Sequence, residues 1–163
     1  MNTDRYIVSW QLGREPRGSW RAVSRCRHGA PVVIATRPEL EDGEPFPTLY
    51  WLTCPTLSER VSALESEGAA EKWSTRLSTD RDLADAMRSA DEVYRRLRQA
   101  ESIDSDRCAM VGIAGQRDPL KTKCIHAHVA AYLAGVADPI GDAVLSEMEW
   151  ECDDARCMEE ELD

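Results

Sequence analysis

The sequence predicts an α+β domain: a small, mostly antiparallel three-stranded sheet near the N-terminus packed by about five helices. Two observations carry this. Three β-prone runs rich in β-branched or aromatic residues fall between residues 20 and 53, with glycine- and proline-rich breakers between them. From Thr56 onward apolar residues recur at helical spacing instead. The chain has 163 residues and no repeat or linker-like break, so one globular domain over 1–146 and an acidic tail over 147–163 is the economical division.

In chain order, residues 4–12 read as a short helix anchored by Ile7, Val8 and Leu12 and ended by Gly13. A loop follows, then strands over Trp20 to Cys26, Pro31 to Thr36 and Thr48 to Thr53. Pro45-Phe46-Pro47 sets an extended entry to the third strand, because proline restricts both itself and the residue before it. Thr56-x-x-Glu59 predicts a capping box opening a helix with Leu57, Val61 and Leu64 on one face and Gly68 as its stop. A shorter helix through Trp73 and Leu77 comes next. Thr79 or Asp80 then caps the longest helix, whose stripe of Leu83, Met87, Ala90, Val93, Tyr94 and Leu97 is core-forming. Residues 102–120 read as a loop. Helix returns near Lys123, with Ile125, Val129, Tyr132 and Leu133 inward, and a last helix begins at Pro139 and runs through Val144, Leu145 and Met148.

The net charge of −10 is unevenly placed. Residues 147–163 hold nine acids against Arg156, whereas residues 1–40 hold seven arginines against three acids. A solvated acidic end is the expectation, with folding back onto the basic face as the alternative. No run approaches the roughly 20 apolar residues that cross a bilayer, and Met1-Asn2-Thr3-Asp4-Arg5 lacks an apolar signal core. The cytoplasm is therefore the expected location. There the six cysteines would be reduced, which leaves metal binding, thiol catalysis or plain burial to explain them.

Lys121-x-Lys123-Cys124-Ile125-His126-Ala127-His128 is the densest chemical segment. Two of the three lysines flank Cys124, and a helix start there would favour a thiolate, as reactive or metal-binding cysteines need. Cys124 and His128 are four apart and would share a helix face, with His126 pointing elsewhere. Cys54 lies at a strand-to-helix junction, Cys26 near the end of the first strand, and Cys152-x4-Cys157 in the tail. No Cys-x-x-Cys knuckle exists, so a zinc or iron–sulfur site would draw on scattered ligands: Cys26, Cys54, Cys124 and a histidine. Arg14, Arg17, Arg25, Arg27, Lys121 and Lys123 form a basic set that could hold phosphate or carboxylate, or simply be solvated. No P-loop, Gly-x-Gly-x-x-Gly, His-Glu-x-x-His or Gly-x-Ser-x-Gly motif is present.

Several segments carry a family resemblance. They are Leu12-Gly13-Arg14-x-Pro16-Arg17-Gly18, Arg25-Cys26-x-x-Gly29-x-Pro31-Val32-Val33, the run Asp42-Gly43-x-Pro45-Phe46-Pro47-Thr48-Leu49-Tyr50-Trp51-Leu52-Thr53-Cys54-Pro55, Leu64-Glu65-x-Glu67-Gly68 and Lys123-Cys124-Ile125-His126. In this order, across roughly residues 10–142, the chain resembles the bacterial family catalogued as domain of unknown function 501 (DUF501). The resemblance implies that Cys26, Cys54, Cys124 and His126 belong to the family pattern, and it favours His126 over His128. It implies no activity. The chain departs from the family at Gly115-Gln116-Arg117-Asp118-Pro119-Leu120, where a Gly-Gly-Met-Pro-like loop is expected.

The leading expectation is a metal- or anion-binding domain centred on Cys54, Cys124 and His126, with Arg14, Arg17, Arg25 and Lys123 around it. Cys124 and His126 would be the catalytic pair if it is an enzyme. Zinc or an iron–sulfur cluster is the expected cofactor class, and a small phosphorylated or carboxylated molecule the expected ligand. The alternative is a non-catalytic adaptor that binds a protein partner through its long helix and acidic tail. Neither a membrane nor a nucleic acid is an expected partner.

Overall fold

Residues 3–159 are described by a computed structural model. The acidic residues Glu160, Glu161 and Asp163 lie outside the described residues. Helix α1 (Thr3–Leu12) precedes strands β1 (Trp20–Arg25), β2 (Pro31–Thr36) and β3 (Tyr50–Leu52). Helices α2 (Pro55–Ser66), α3 (Ala69–Thr79) and α4 (Arg81–Glu101) follow, then a 3-10 turn (Ile113–Gly115), α5 (Ile125–Leu133), α6 (Pro139–Ser146) and a second 3-10 turn (Arg156–Met158). The class is α+β, with six α-helices among the described residues.

The sheet is antiparallel in the order β1-β2-β3. β2 is buried at every position, so its unbroken apolar run Pro31-Val32-Val33-Ile34-Ala35 suits a central strand covered on both faces. One core joins Val32, Val33 and Leu49 of the sheet region to Leu57, Met87, Ile125 and Ile140 of the helices. Removing a side chain from such a core costs roughly 2–5 kcal/mol.

The capping box does not form. Cys54 occupies the N-cap of α2 and makes no side-chain cap bond, while the Thr56 hydroxyl accepts a hydrogen bond from Arg156 at 2.9 Å. Pro55 starts the helix one residue before the predicted box, so Thr56 already lies inside the first turn. Asp80 caps α4 as expected, accepting from the Leu83 N–H at 3.1 Å.

Helix α4 also buries charge that its apolar stripe does not announce. The fully buried Arg98 donates to Asp106 Oδ2 at 2.7 Å and to the carbonyls of Pro47, Cys108 and Val111. Asp91 accepts from Arg95 and from the Ile113 N–H. A Cβ at Gly112 would lie 1.9 Å from Asp91 Oδ1, so only glycine fits there. These bonds order the long loop over 102–120.

The described tail folds back along the body, while Glu147, Glu149, Asp153, Asp154 and Glu159 stay exposed to solvent as expected. The Arg27 N–H donates to Glu151 at 2.7 Å, its guanidinium reaches Asp153 at 2.6 Å, and Trp150 packs against the core. The Arg27–Asp153 pair is open to solvent and adds little, so the docking leans on the packing of Trp150 and the burial of Cys157.

Candidate functional site

Glu65, in the last turn of α2, faces the start of α5. Its Oε1 accepts from the N–H of Ile125 at 2.7 Å and of His126 at 3.4 Å. A helix start leaves its first N–H groups without partners inside the helix, and here a carboxylate from another element supplies them. Cys124, at the N-cap itself, makes no side-chain cap bond.

The same oxygen lies 3.0 Å from His126 Nδ1. The other ring nitrogen, Nε2, lies 3.1 Å from the Ser58 carbonyl oxygen and 3.3 Å from Ser62 Oγ. A backbone carbonyl only accepts, so Nε2 carries the proton that joins it to Ser58. Nδ1 is left facing the carboxylate. The ligand atoms of Glu65, Cys124 and His126 all lie within 4.8 Å of one another, and all three residues are partly buried.

The electrostatics follow from this crowding. The Cys124 side chain, hydrogen-bonded to the ring, is the strongest influence on His126; burial opposes it and Glu65 adds to it, raising the imidazolium pKa to about 9. Burial pushes the Glu65 carboxyl up, but the bonds from His126 and from the Ile125 N–H outweigh it, and its pKa is lowered.

The other candidate residues lie apart from this group. Cys26 and Cys54 are not part of the cluster at Glu65. Lys123 adjoins Cys124 in the chain. Arg17 and Arg25 line a groove of about 1080 Å³ beside Arg5, Arg21, Asp4 and Glu15, and Arg14 lines a smaller cleft with Phe46 and Trp51. Arg25 is bound to Asp4 at 2.7 Å and Arg17 to Glu44 at 3.2 Å. Each of these two guanidinium groups therefore already faces a carboxylate.

The helix face expected for Cys124 and His128 does not come about. Cys124 precedes α5 in extended conformation, with φ −137° and ψ 107°, so helical spacing does not govern it. His128 turns into the core, where Nδ1 meets Asp138 Oδ2 and Nε2 meets Thr122 Oγ1, both at 2.7 Å. Glu65 was not singled out from the residue types. It sits within Leu64-Glu65-x-Glu67-Gly68, one of the segments that carry the family resemblance, and that is the signal that could have marked it.

Residues 22–146, most of the chain, match the family model described as "Protein of unknown function (DUF501)". The chain belongs to the DUF501 family. No curated protein and no solved structure matches it. The matched region of this DUF501 chain includes Cys26, Cys54, Glu65, Cys124 and His126 and ends before Cys152 and Cys157. Among the described residues no helix is long and apolar enough to cross a membrane.

Proposed function

We propose that this DUF501 protein binds a divalent metal ion, zinc by the chemistry of its ligands, through Glu65, Cys124 and His126. The observation that carries the reading is the direction of the His126 ring. Metal-binding histidines characteristically donate their second ring N–H to a carbonyl or carboxylate, which fixes the tautomer. The Ser58 carbonyl takes that role at Nε2, Nδ1 faces Glu65 Oε1, and the ligand atoms of all three residues lie within 4.8 Å of one another. One thiolate, one imidazole and one carboxylate make a three-residue set that leaves a fourth position for water, the pattern of catalytic rather than structural zinc. Metal-activated water is then the chemistry to test, with hydrolysis as the reaction class.

Binding requires the Nδ1 proton to leave, so affinity should rise with pH up to the His126 pKa of about 9. Cobalt is the practical probe, because a thiolate–cobalt bond gives a charge-transfer absorption in the near ultraviolet. Cys124→Ser should remove one cobalt equivalent with its thiolate band, and His126→Ala should weaken the same equivalent. If both variants bind as much cobalt as the parent chain, the reading is wrong.

A second reading rests on the closeness of the Cys124 sulfur and the His126 ring, whose ligand atoms lie within 4.8 Å of one another. A thiol and an imidazole sharing a proton, with Glu65 orienting the ring, are the parts of a cysteine nucleophile. Selective alkylation of Cys124 in metal-free protein, unaffected by added zinc, would favour this reading over the metal.

A further inference from the structure

The sheet has a second face, turned away from the main core. Val33 and Ala35 of β2 belong to that core, and strand alternation turns Ile34 and Thr36 to the opposite side. Trp51 of β3 stands opposite Ile34 in the register and shares its side. On this face lies a cleft of about 250 Å³. Ile34 and Thr36 line it from the sheet, Phe46 and Trp51 supply ring surface, and Leu12 and Pro16 come from the end of α1 and the loop after it. Arg14 and Arg17, both exposed, complete the lining.

The aromatic part of the cleft is held in place without a ligand. Phe46 and Trp51 stack with 5.4 Å between ring centres and 20° between planes. The Trp51 indole N–H donates to Thr36 Oγ1 at 3.1 Å, and that hydroxyl donates to the Thr48 carbonyl at 2.7 Å. The Phe46 N–H donates to the Pro38 carbonyl at 2.7 Å. Indole and hydroxyl are thereby satisfied within the protein, and what they leave to the cleft is apolar. A site fixed in advance spends little on ordering side chains when it binds.

Charge sets Arg14 apart from its neighbours. Arg5 is paired with Glu15, Arg17 with Glu44, Arg21 with Glu101 and Arg25 with Asp4. Among the described residues the Arg14 side chain has no ion-pair or hydrogen-bond partner. Gly13, at φ +69°, ends α1 in the left-handed conformation and turns the chain so that Arg14 meets the cleft. One uncompensated positive charge therefore stands beside fixed ring surface.

We propose that this cleft binds a small aromatic monocarboxylate, its ring against Phe46, Trp51 and Ile34 and its carboxylate on the Arg14 guanidinium. A guanidinium fork matches a carboxylate with two parallel N–H donors. One free cation suits one negative charge, since Glu44 already meets Arg17. The volume is below the roughly 300–1,000 Å³ of sites for drug-sized ligands, which suits one or two fused rings. The site is separate from Glu65, Cys124 and His126, none of which lines it.

The test is calorimetric titration of the metal-free full chain with naphthoate, beside its neutral amide, naphthamide, and ring-free acetate. One equivalent of naphthoate is expected to bind, with the amide weaker by roughly tenfold and acetate unable to compete. Arg14→Gln should weaken naphthoate by a similar factor and leave the amide unchanged, whereas Cys124→Ser should bind naphthoate as the parent does. Arg14 is exposed, and far-ultraviolet circular dichroism checks that its variant is folded. NMR gives the position: naphthoate should shift the indole N–H signal of Trp51, assigned through Trp51→Phe. A parent chain that binds no naphthoate at millimolar concentration, equal affinity for the amide, or binding that Arg14→Gln leaves unchanged overturns the proposal. So does an unmoved Trp51 signal. Loss of naphthoate in Cys124→Ser would place the ligand at the Glu65 site and sink this one.

Discussion

Two histidines stand two residues apart on α5, and each places Nδ1 against a carboxylate and Nε2 against an oxygen. They differ in what surrounds them. His128 and Asp138 are 3% and 0% exposed at their side chains, against 24% and 28% for His126 and Glu65. Asp138 spends its other oxygen on the N–H groups of Ile140 and Gly141, capping α6. The inner pair therefore pins α5 to α6. The outer pair borders a thiol and solvent, where a ligand can compete for it. Burial, more than residue type, separates a structural histidine from a candidate ligand.

The largest effect should come from breaking the inner pair. Asp138→Ala leaves a buried imidazole without its partner and uncaps α6, at a cost of roughly 3–5 kcal/mol. Glu65→Ala should cost about 1 kcal/mol or less, as expected of a partly exposed pair. Urea unfolding of both variants checks the contrast, and equal losses would break it.

Gly141→Ala comes next. Its Cβ would lie 2.4 Å from the His128 carbonyl oxygen and 2.6 Å from Tyr132 Cβ. Overpacking of this kind costs roughly 1–3 kcal/mol. The unfolding temperature should fall clearly while cobalt titration at the proposed Cys124 site matches the parent chain, which separates the pin from the site.

In metal-free protein the outer histidine should titrate near 9 instead of its ordinary 6.5. Because the folded-state value is raised, its stabilising contribution is fully present below pH 6.5 and is lost as pH rises through about 9. Proton NMR of the ring should show this midpoint, and Cys124→Ser and Glu65→Gln should each lower it. A parent midpoint at the ordinary value would remove the electrostatic side of the comparison.

Ser62→Ala should have the smallest effect. It deletes the more distant of the two groups at Nε2, the one at 3.3 Å, and stability should stay within about 0.5 kcal/mol. The NMR midpoint should barely move, since Ser58 still holds the ring.

The three strands, the long helix and its Asp80 cap were legible because each depends on local signals: β-branched runs, turn residues and apolar spacing. Cys124 and His126 were legible as reactive residue types, and the family pattern pointed to His126. Three features were not. Glu65 lies 61 positions from His126 in sequence, and no spacing rule links the end of one helix to the start of another. Cys152 and Cys157 looked like part of a solvated tail, because their docking depends on Arg27 and Thr56, more than a hundred positions away or nearly so. Asp91 and Arg98 looked like the polar face of α4 until the loop over 102–120 closed on them.

The sequence by itself determined which segments are strand and helix, which residue types could do chemistry, and to which family the chain is similar. Tertiary structure alone decided which of those residues meet. It drew Cys124 to His126 and Glu65, sent His128 inward to Asp138, and folded the tail back to Arg27 and Thr56. The physical reason is that secondary structure is set by interactions within a few residues, whereas ligand sets and pKa values depend on through-space distance and burial, which exist only once the chain has packed.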